Sequence, residues 1–303
     1  MMRQTFLFLS QQKGLRKWME TSPVAAKLTK RFIAGLTLED ELAACARLAE
    51  GKVFSTLDHL GENVTSLKEA DASRESYLAA LDEIGKRGLP STVSIKLTQF
   101  GLDLSTEACL ENALALAKRA TERGTRIEID MESTEYTDRT LEIVEKVGTA
   151  RAVIQAYLYR SQKDIERLNE LKIPVRLCKG AYKEPESLAY PKKIDVDRNY
   201  VALMKLLLDK GTYPAIASHD ETILGEAFRY ARERKIAPEN FEFQMLYGIR
   251  TDLQRRVIDL GYRLRIYVPY GDAWYPYFMR RLAERPANVL FLAKNFFKPH
   301  AKR

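Results

Sequence analysis

From residue 53 to residue 268 the chain repeats one pattern. A short run rich in β-branched and aromatic residues is followed by a longer polar stretch with apolar residues at helical spacing. Runs of the first kind, bounded by turn formers, read as strands. They fall at 53–57, 92–97, 126–131, 152–157, 175–178, 215–218, 241–246 and 263–268. The intervening stretches read as amphipathic helices, among them 107–122, 141–147, 163–171, 196–210, 221–234 and 253–260. Strands that alternate with helices pair in parallel through helical crossovers. Eight such units in about 250 residues suit a closed α/β barrel, TIM-like and (βα)8, better than an open doubly wound sheet. Residues 1–50 read as an N-terminal helical segment with a start signal at Thr37-Leu-Glu-Asp. Residues 51–303 are then expected to form the barrel and a basic C-terminal tail.

In such barrels chemistry sits where strands end and βα loops begin. Strand one runs into Asp58-His59-Leu60-Gly61-Glu62, strand two contains Lys96, and strand three ends Asp130-Met131-Glu132. Strand four carries Gln155 and Tyr157. The fifth continues as Arg176-Leu177-Cys178-Lys179-Gly180-Ala181-Tyr182, the sixth as Ser218-His219-Asp220, and the seventh as Gln244-Met245-Leu246-Tyr247. Strand eight carries Tyr267 and leads through Gly271 into a last helix. Charged side chains within β runs are costly to bury unless paired or used, and Lys96 and Arg176 are the sharpest cases. Taken singly, Lys96 could snorkel to the rim, and His59 and His219 could be ordinary hydrogen-bonded residues. Their collection at one end of a barrel favours a site.

The last helix adds to this. Tyr277 precedes Arg280 and Arg281 by three and four positions, and Glu284 follows them by four and three. These side chains are neighbours on a helix. Two guanidinium groups plus Lys96 make a cationic trap for a small carboxylate, which Arg binds bidentately. Glu62 and Glu284 are the acids expected to balance the trap.

Composition narrows the class. The chain has 303 residues, 46% hydrophobic and 30% charged, which suits a soluble globular protein. Cys45, Cys109 and Cys178 form no CxxC pair, so a reducing compartment is expected and no metal site is. The apolar run at 6–9 is too short for a signal core or a membrane span, which points to the cytoplasm. No GxGxxG or GxxxxGK[ST] follows a strand. Of the net charge of +8, residues 1–31 hold +6 and residues 280–303 another +6, leaving −4 between. A nucleic-acid binder should carry its charge across a face of the fold instead. Basic ends that also hold Phe6, Phe8, Trp18, Phe291, Phe296 and Phe297 suit an anionic membrane surface, or simply a solvated amphipathic helix.

The ordered motifs resemble the proline dehydrogenase family. Tyr267-Val-Pro-Tyr-Gly271 and Trp274-Tyr-Pro-Tyr-Phe-Met-Arg-Arg-Leu-Ala-Glu284 carry the resemblance most strongly, with Arg176-Leu-Cys-Lys-Gly-Ala-Tyr182. In chain order, Leu57-Asp-His-Leu-Gly-Glu62, Lys96-Leu-Thr98, Asp130-Met-Glu132, Gln155-Ala-Tyr157, Ser218-His219 and Phe243-Gln-Met-Leu246 support it. The resemblance implies a distorted (βα)8 barrel with the final helix over the active site, and FAD-dependent oxidation of L-proline to Δ1-pyrroline-5-carboxylate, the first step of proline catabolism to glutamate. It implies that Lys96, Arg280 and Arg281 hold the proline carboxylate, that Glu62 pairs with Arg280 as a gate, and that Tyr267, Tyr277 and Leu246 wall the ring. Asp130 would support the polar network. Arg176 would approach flavin N5, Gln155 the flavin edge, and Lys179, Gly180, Ala181, Tyr182, Ser218 and His219 the rest of the FAD site. Ser218 stands where related bacterial sequences often have Thr. The length suits the monofunctional bacterial enzyme, and a quinone or other respiratory-chain acceptor would take the electrons, with a peripheral location at the inner face of the cell membrane as one expectation beside the cytoplasm. Other readings are a Schiff-base aldolase using Lys96 or Lys179, and a non-enzymatic membrane or nucleic-acid binding module.

Overall fold

A computed structural model describes residues 29–283. Its strands are β1 (Phe54–His59), β2 (Ser91–Ile95), β3 (Ile127–Ile129), β4 (Arg151–Gln155), β5 (Val175–Cys178), β6 (Ala215–Ala217), β7 (Glu242–Leu246) and β8 (Leu264–Tyr270). They close in sequence order into a parallel barrel, with β8 meeting β1 from Phe54↔Arg265 to His59↔Tyr270. The helices are α1 (Leu38–Glu50), α2 (Leu67–Arg87), α3 (Thr106–Glu122), α4 (Thr137–Val147), α5 (Ser161–Glu170), α6 (Lys193–Lys210), α7 (Glu221–Glu233), α8 (Thr251–Asp259) and α9 (Trp274–Ala283). All eight expected strands are present. β1 and β8 each run two residues further than the hydrophobic pattern shows, because Asp58 and His59 pair with Pro269 and Tyr270. The sequence pattern did not bring out α2. Its buried face includes Ala70, Ala80, Leu81 and Ile84 and so contrasts weakly with the polar face. Its ends are nevertheless marked, by Ser66 accepting from the Glu69 N–H and by left-handed Gly88.

α1 begins where the sequence places it. Thr37 Oγ1 accepts from the Asp40 N–H at 3.2 Å, and Asp40 Oδ2 accepts from the Thr37 N–H at 3.0 Å, a reciprocal capping box. Thr37→Ala is expected to cost about 1 kcal/mol, read as a lowered urea midpoint at unchanged slope. Leu42, Ala44 and Cys45 of α1 join the core, and the helix packs against β1 and β8. A regular barrel fills that slot with the helix that follows its last strand. Here α1 fills it, so α9 is left at the carboxyl end of β8, where Phe278 meets Phe32 edge to face at 5.8 Å.

The strands alternate apolar and polar residues, and the polar face points inward. Arg151 on β4 donates to Glu128 on β3 at 3.0 Å and also to Glu242 on β7, across the interior. Arg265 Nε donates to Glu242 Oε1 at 2.8 Å, and Gln244 Nε2 bonds the same oxygen at 2.8 Å. Arg151, Glu128 and Glu242 have no exposed surface. Buried charges persist when paired and hydrogen-bonded, and each member of this set is ion-paired, with Arg151 Nε alone of the Arg151 nitrogens lacking a hydrogen bond. The outward faces of the strands carry Val, Ile and Leu against the helices, in one continuous core.

Candidate active site

Above that charged floor, the strand ends assemble a second cluster. Lys96 follows β2 directly, and its Nζ lies 3.0 Å from Asp58 Oδ1 and 3.9 Å from Asp130 Oδ2. Asp130 follows β3 and also accepts from Ser94 Oγ at 2.9 Å, from Tyr267 Oη at 2.8 Å and from Arg176. Arg176 on β5 donates further to Ser94 Oγ at 3.0 Å and Gln244 Oε1 at 3.3 Å, with its guanidinium 5.4 Å from the Tyr267 ring centre. Lys96, Asp130, Arg176 and Tyr267 are thus one connected group drawn from four strands.

The electrostatics fix protonation states. Burial pulls the Lys96 ammonium down, but Asp58 and Asp130 raise it further, so it stays charged well above its ordinary range. Arg176 follows the same balance, with burial opposed by Asp130 and Glu128. Burial, and then Asp130, hold the Tyr267 phenol far above the usual value, so it remains a donor. The Lys96 side chain is 15% exposed, so its amine stays among these partners and does not snorkel to water.

A second group lies on the ends of β4, β5 and β6. The Gln155 amide donates from Nε2 to the Glu132 carbonyl at 2.8 Å and accepts from the Ala181 N–H at 3.4 Å. Gly180 has φ +115°, and a Cβ there would enter the Tyr157 ring. Lys179 Nζ reaches Asp220 at 2.8 Å and Asp197. Ser218 Oγ accepts from the Asp220 N–H at 3.1 Å, and His219 Nε2 accepts from the Leu246 N–H at 2.9 Å. That bond assigns the neutral ring proton to Nδ1. Leu246 is partly buried and Tyr182 is 37% exposed.

On α9, the Arg281 guanidinium stands 5.3 Å from the Tyr277 ring centre, the helical neighbour relation expected from their spacing. Arg280 belongs to α9, but its side chain lies outside the described residues, as does Glu284. The expected Glu62–Arg280 pair therefore falls outside them too, as do residues 1–28 and 284–303 of the basic ends. Among the described residues there is no group of acids, histidines and cysteines able to hold a metal, and no helix is long and apolar enough to cross a membrane.

Sequence reasoning assigned no role to Asp58, Glu132, Ser94, Gln244 or Glu41. Glu132 accepts from the Thr98 N–H at 3.1 Å and Thr98 Oγ1 at 2.7 Å, tying the β2 and β3 loops. Glu41, on α1 outside the barrel, accepts from the Asp58 N–H at 3.1 Å, and burial followed by Asp58 pushes its carboxyl well above the ordinary range. A polar residue at every second strand position was the available signal. For Glu41 the sequence offered none, since an acid in a first helical turn reads as a dipole partner.

Comparison with known proteins agrees with this arrangement. The family model described as Proline dehydrogenase matches residues 42–294. Proline dehydrogenase 1 of Bacillus subtilis is 42% identical over 305 residues, covering 98% of this chain and 100% of that protein. Proline dehydrogenase of Deinococcus radiodurans is 38% identical, over 89% of this chain and 90% of the relative. Among solved structures, proline utilization A (PutA) from Bdellovibrio bacteriovorus, inactivated by N-propargylglycine, superposes with a TM-score of 0.81 at 28% identity. That match covers 90% of this chain and 34% of the other. A barrel of this order, a family model that matches residues 42–294, and 42% and 38% identity to two bacterial relatives over most of their length lead to one conclusion: this chain belongs to the proline dehydrogenase family.

Proposed function

We propose that the chain oxidises L-proline to Δ1-pyrroline-5-carboxylate with FAD and passes the electrons to a quinone. The observation that carries this reading is the Lys96–Asp130–Arg176–Tyr267 cluster, which joins a substrate side to a cofactor side through one carboxylate. The residues on β4 to β6 suit a flavin. Gln155 offers both donor and acceptor, Arg176 is a fixed cation, and Gly180 lets the Tyr157 ring lie directly against the backbone after β5, where a Cβ would collide with it. These residues would hold FAD, which would supply the hydride-accepting chemistry for oxidation of the proline ring.

The side chains supply binding and orientation. Lys96, Arg280 and Arg281 would hold the proline carboxylate, with Glu62 and Glu284 balancing the arginines. Tyr267, Tyr277 and Leu246 would enclose the ring, placing its C5 at the cofactor side, a proximity effect. Asp130, engaged by Arg176, Tyr267 and Ser94, would act as the brace between substrate and cofactor sides. Gln155, Arg176, Lys179, Gly180, Ala181, Tyr182, Ser218 and His219 would line the FAD site. Schiff-base chemistry is disfavoured, because a nucleophilic lysine needs a lowered pKa. Lys96 is raised, and Lys179 is held by two carboxylates. The basic ends would help the enzyme reach a membrane-borne acceptor by attraction to anionic lipid.

The purified protein is expected to show flavin absorbance that bleaches under anaerobic L-proline and persists under D-proline. A protein that neither carries nor takes up FAD overturns the reading. Arg281→Met is expected to weaken proline binding by about ten- to a hundredfold, the worth of one charge-assisted contact, while flavin content stays unchanged.

A further inference from the structure

At the rim between β8 and β1 lies a set of contacts that the cluster above does not use. His59 and Tyr270, the last residues of β1 and β8, are paired in register. Their rings stack at 4.7 Å with 17° between planes. The chain then turns at Gly271, with φ +111°, a conformation open to glycine and rarely to other residues. A Cβ on Gly271 would stand 2.8 Å from His59 Cδ2 and 3.2 Å from Nε2, so the turn rests directly on the imidazole. The stack is fixed from several sides. The His59 N–H donates to Tyr77 Oη at 3.1 Å, and Ser76 Oγ lies 3.3 Å from His59 Nδ1. The Leu60 N–H donates to the Tyr270 carbonyl at 2.8 Å, and the Gly271 N–H to the Gly35 carbonyl at 3.1 Å.

We propose that His59 is a positioning residue for α9: its ring is the seat of the Gly271 turn and sets the direction in which the helix leaves β8. The inference rests on the reading of α9 as the helix whose arginines hold the proline carboxylate. Only Asp272 and Ala273 separate Gly271 from the first residue of α9, Trp274, so a rotation at the turn passes to the helix almost undiminished. Arg281 lies seven residues further on, about 10 Å at 1.5 Å per residue. A tilt of about 10° over that lever moves the guanidinium by roughly 2 Å, and a displacement of about 1 Å can cost on the order of a hundredfold in rate. His59 also precedes the Leu60-Gly61-Glu62 loop. One ring therefore supports both segments that carry the expected gate.

The test is a double-mutant cycle read by steady-state kinetics, flavin content and melting temperature. Gly271→Ala is expected to raise KM for L-proline by roughly tenfold or more, with a smaller change in kcat and a full flavin complement. His59→Ala removes the seat and is expected to raise KM severalfold. In the His59→Ala background the added Cβ no longer meets a ring, so the Gly271→Ala penalty on KM should shrink severalfold to the part due to backbone strain at φ +111°, which is coupling between neighbours. Equal penalties in both backgrounds would overturn the proposal. So would unchanged KM with only a lower melting temperature, the signature of a purely structural stack. Should Gly271→Ala fail to fold, His59→Ala decides alone: raised KM with full flavin supports the seat, and unchanged KM overturns it. A wild-type protein that does not oxidise proline would remove the underlying reading, and the inference with it. Active wild type with unaltered variants removes the seat alone.

Discussion

Arg151→Met is expected to destabilise the protein by about 3–5 kcal/mol, the cost of leaving buried charges without their partner. Arg151 bridges Glu128 and Glu242 at the floor of the barrel, and none of the three has exposed surface. Burial pushes both carboxyls up, but the surrounding arginines (Arg151, Arg176 and Arg265 on Glu128; Arg265 and Arg151 on Glu242) outweigh it and hold both below the ordinary range. Groups so depressed stabilise the fold above the unfolded-state pKa of about 4.3, and lose that contribution as pH falls through the folded value. In the variant one cation is gone, so a carboxyl rises toward or above its unfolded value and the balance reverses. Its penalty is full at neutral pH and relaxes as acid supplies the missing proton. Urea midpoints of wild type and variant should therefore lie far apart at pH 7 and draw together near pH 4. A constant gap across that range would show that Arg151 acts by packing and not by charge.

Lys96→Met is expected to weaken proline binding by about a hundredfold, at the upper end of one charge-assisted contact. The substitution does more than delete a donor. Lys96 sits 3.0 Å from Asp58 and 3.9 Å from Asp130, and Asp58 is 1% exposed. With the ammonium gone, two carboxylates face the proposed dock for the substrate's carboxylate, and like charges in a site of low dielectric repel strongly. The double variant Lys96→Met/Asp58→Asn removes one of those charges and is expected to recover part of the loss, while Asp58→Asn alone should cost less than Lys96→Met. The measurement is KM for L-proline beside flavin content in the three proteins. If the double variant binds no better than Lys96→Met, the loss comes from shape and not from charge.

Elements and motifs belong to local chemistry, and the sequence determined them. Eight β runs at helical intervals led to the closed barrel, since each run fits a pleated surface and each interval fits a crossover. Thr37 and Asp40 marked the start of α1 by mutual hydrogen bonding. Tyr277 and Arg281 met because residues four apart share a helix face. The short motifs from Asp58 to Arg281 named residues that the fold gathers at the carboxyl ends of the strands and on α9.

What only the tertiary structure decided is how these residues pair. In a strand, alternation of polar and apolar residues does not say which face points inward. Closure of the barrel turned the polar face in, so Glu128, Arg151, Glu242 and Arg265 became a buried floor and not a solvated surface. Arg176 was legible as a cation in a β run, but its partners Asp130, Ser94 and Gln244 lie 46, 82 and 68 residues away and meet it only across the closed interior. Occupation of the β8–β1 slot by α1, which leaves α9 at the mouth, likewise depends on packing between segments remote in sequence. Local propensity sets elements within a few residues of chain. The pairing of charges across a barrel is set by the geometry of closure, which no single segment contains.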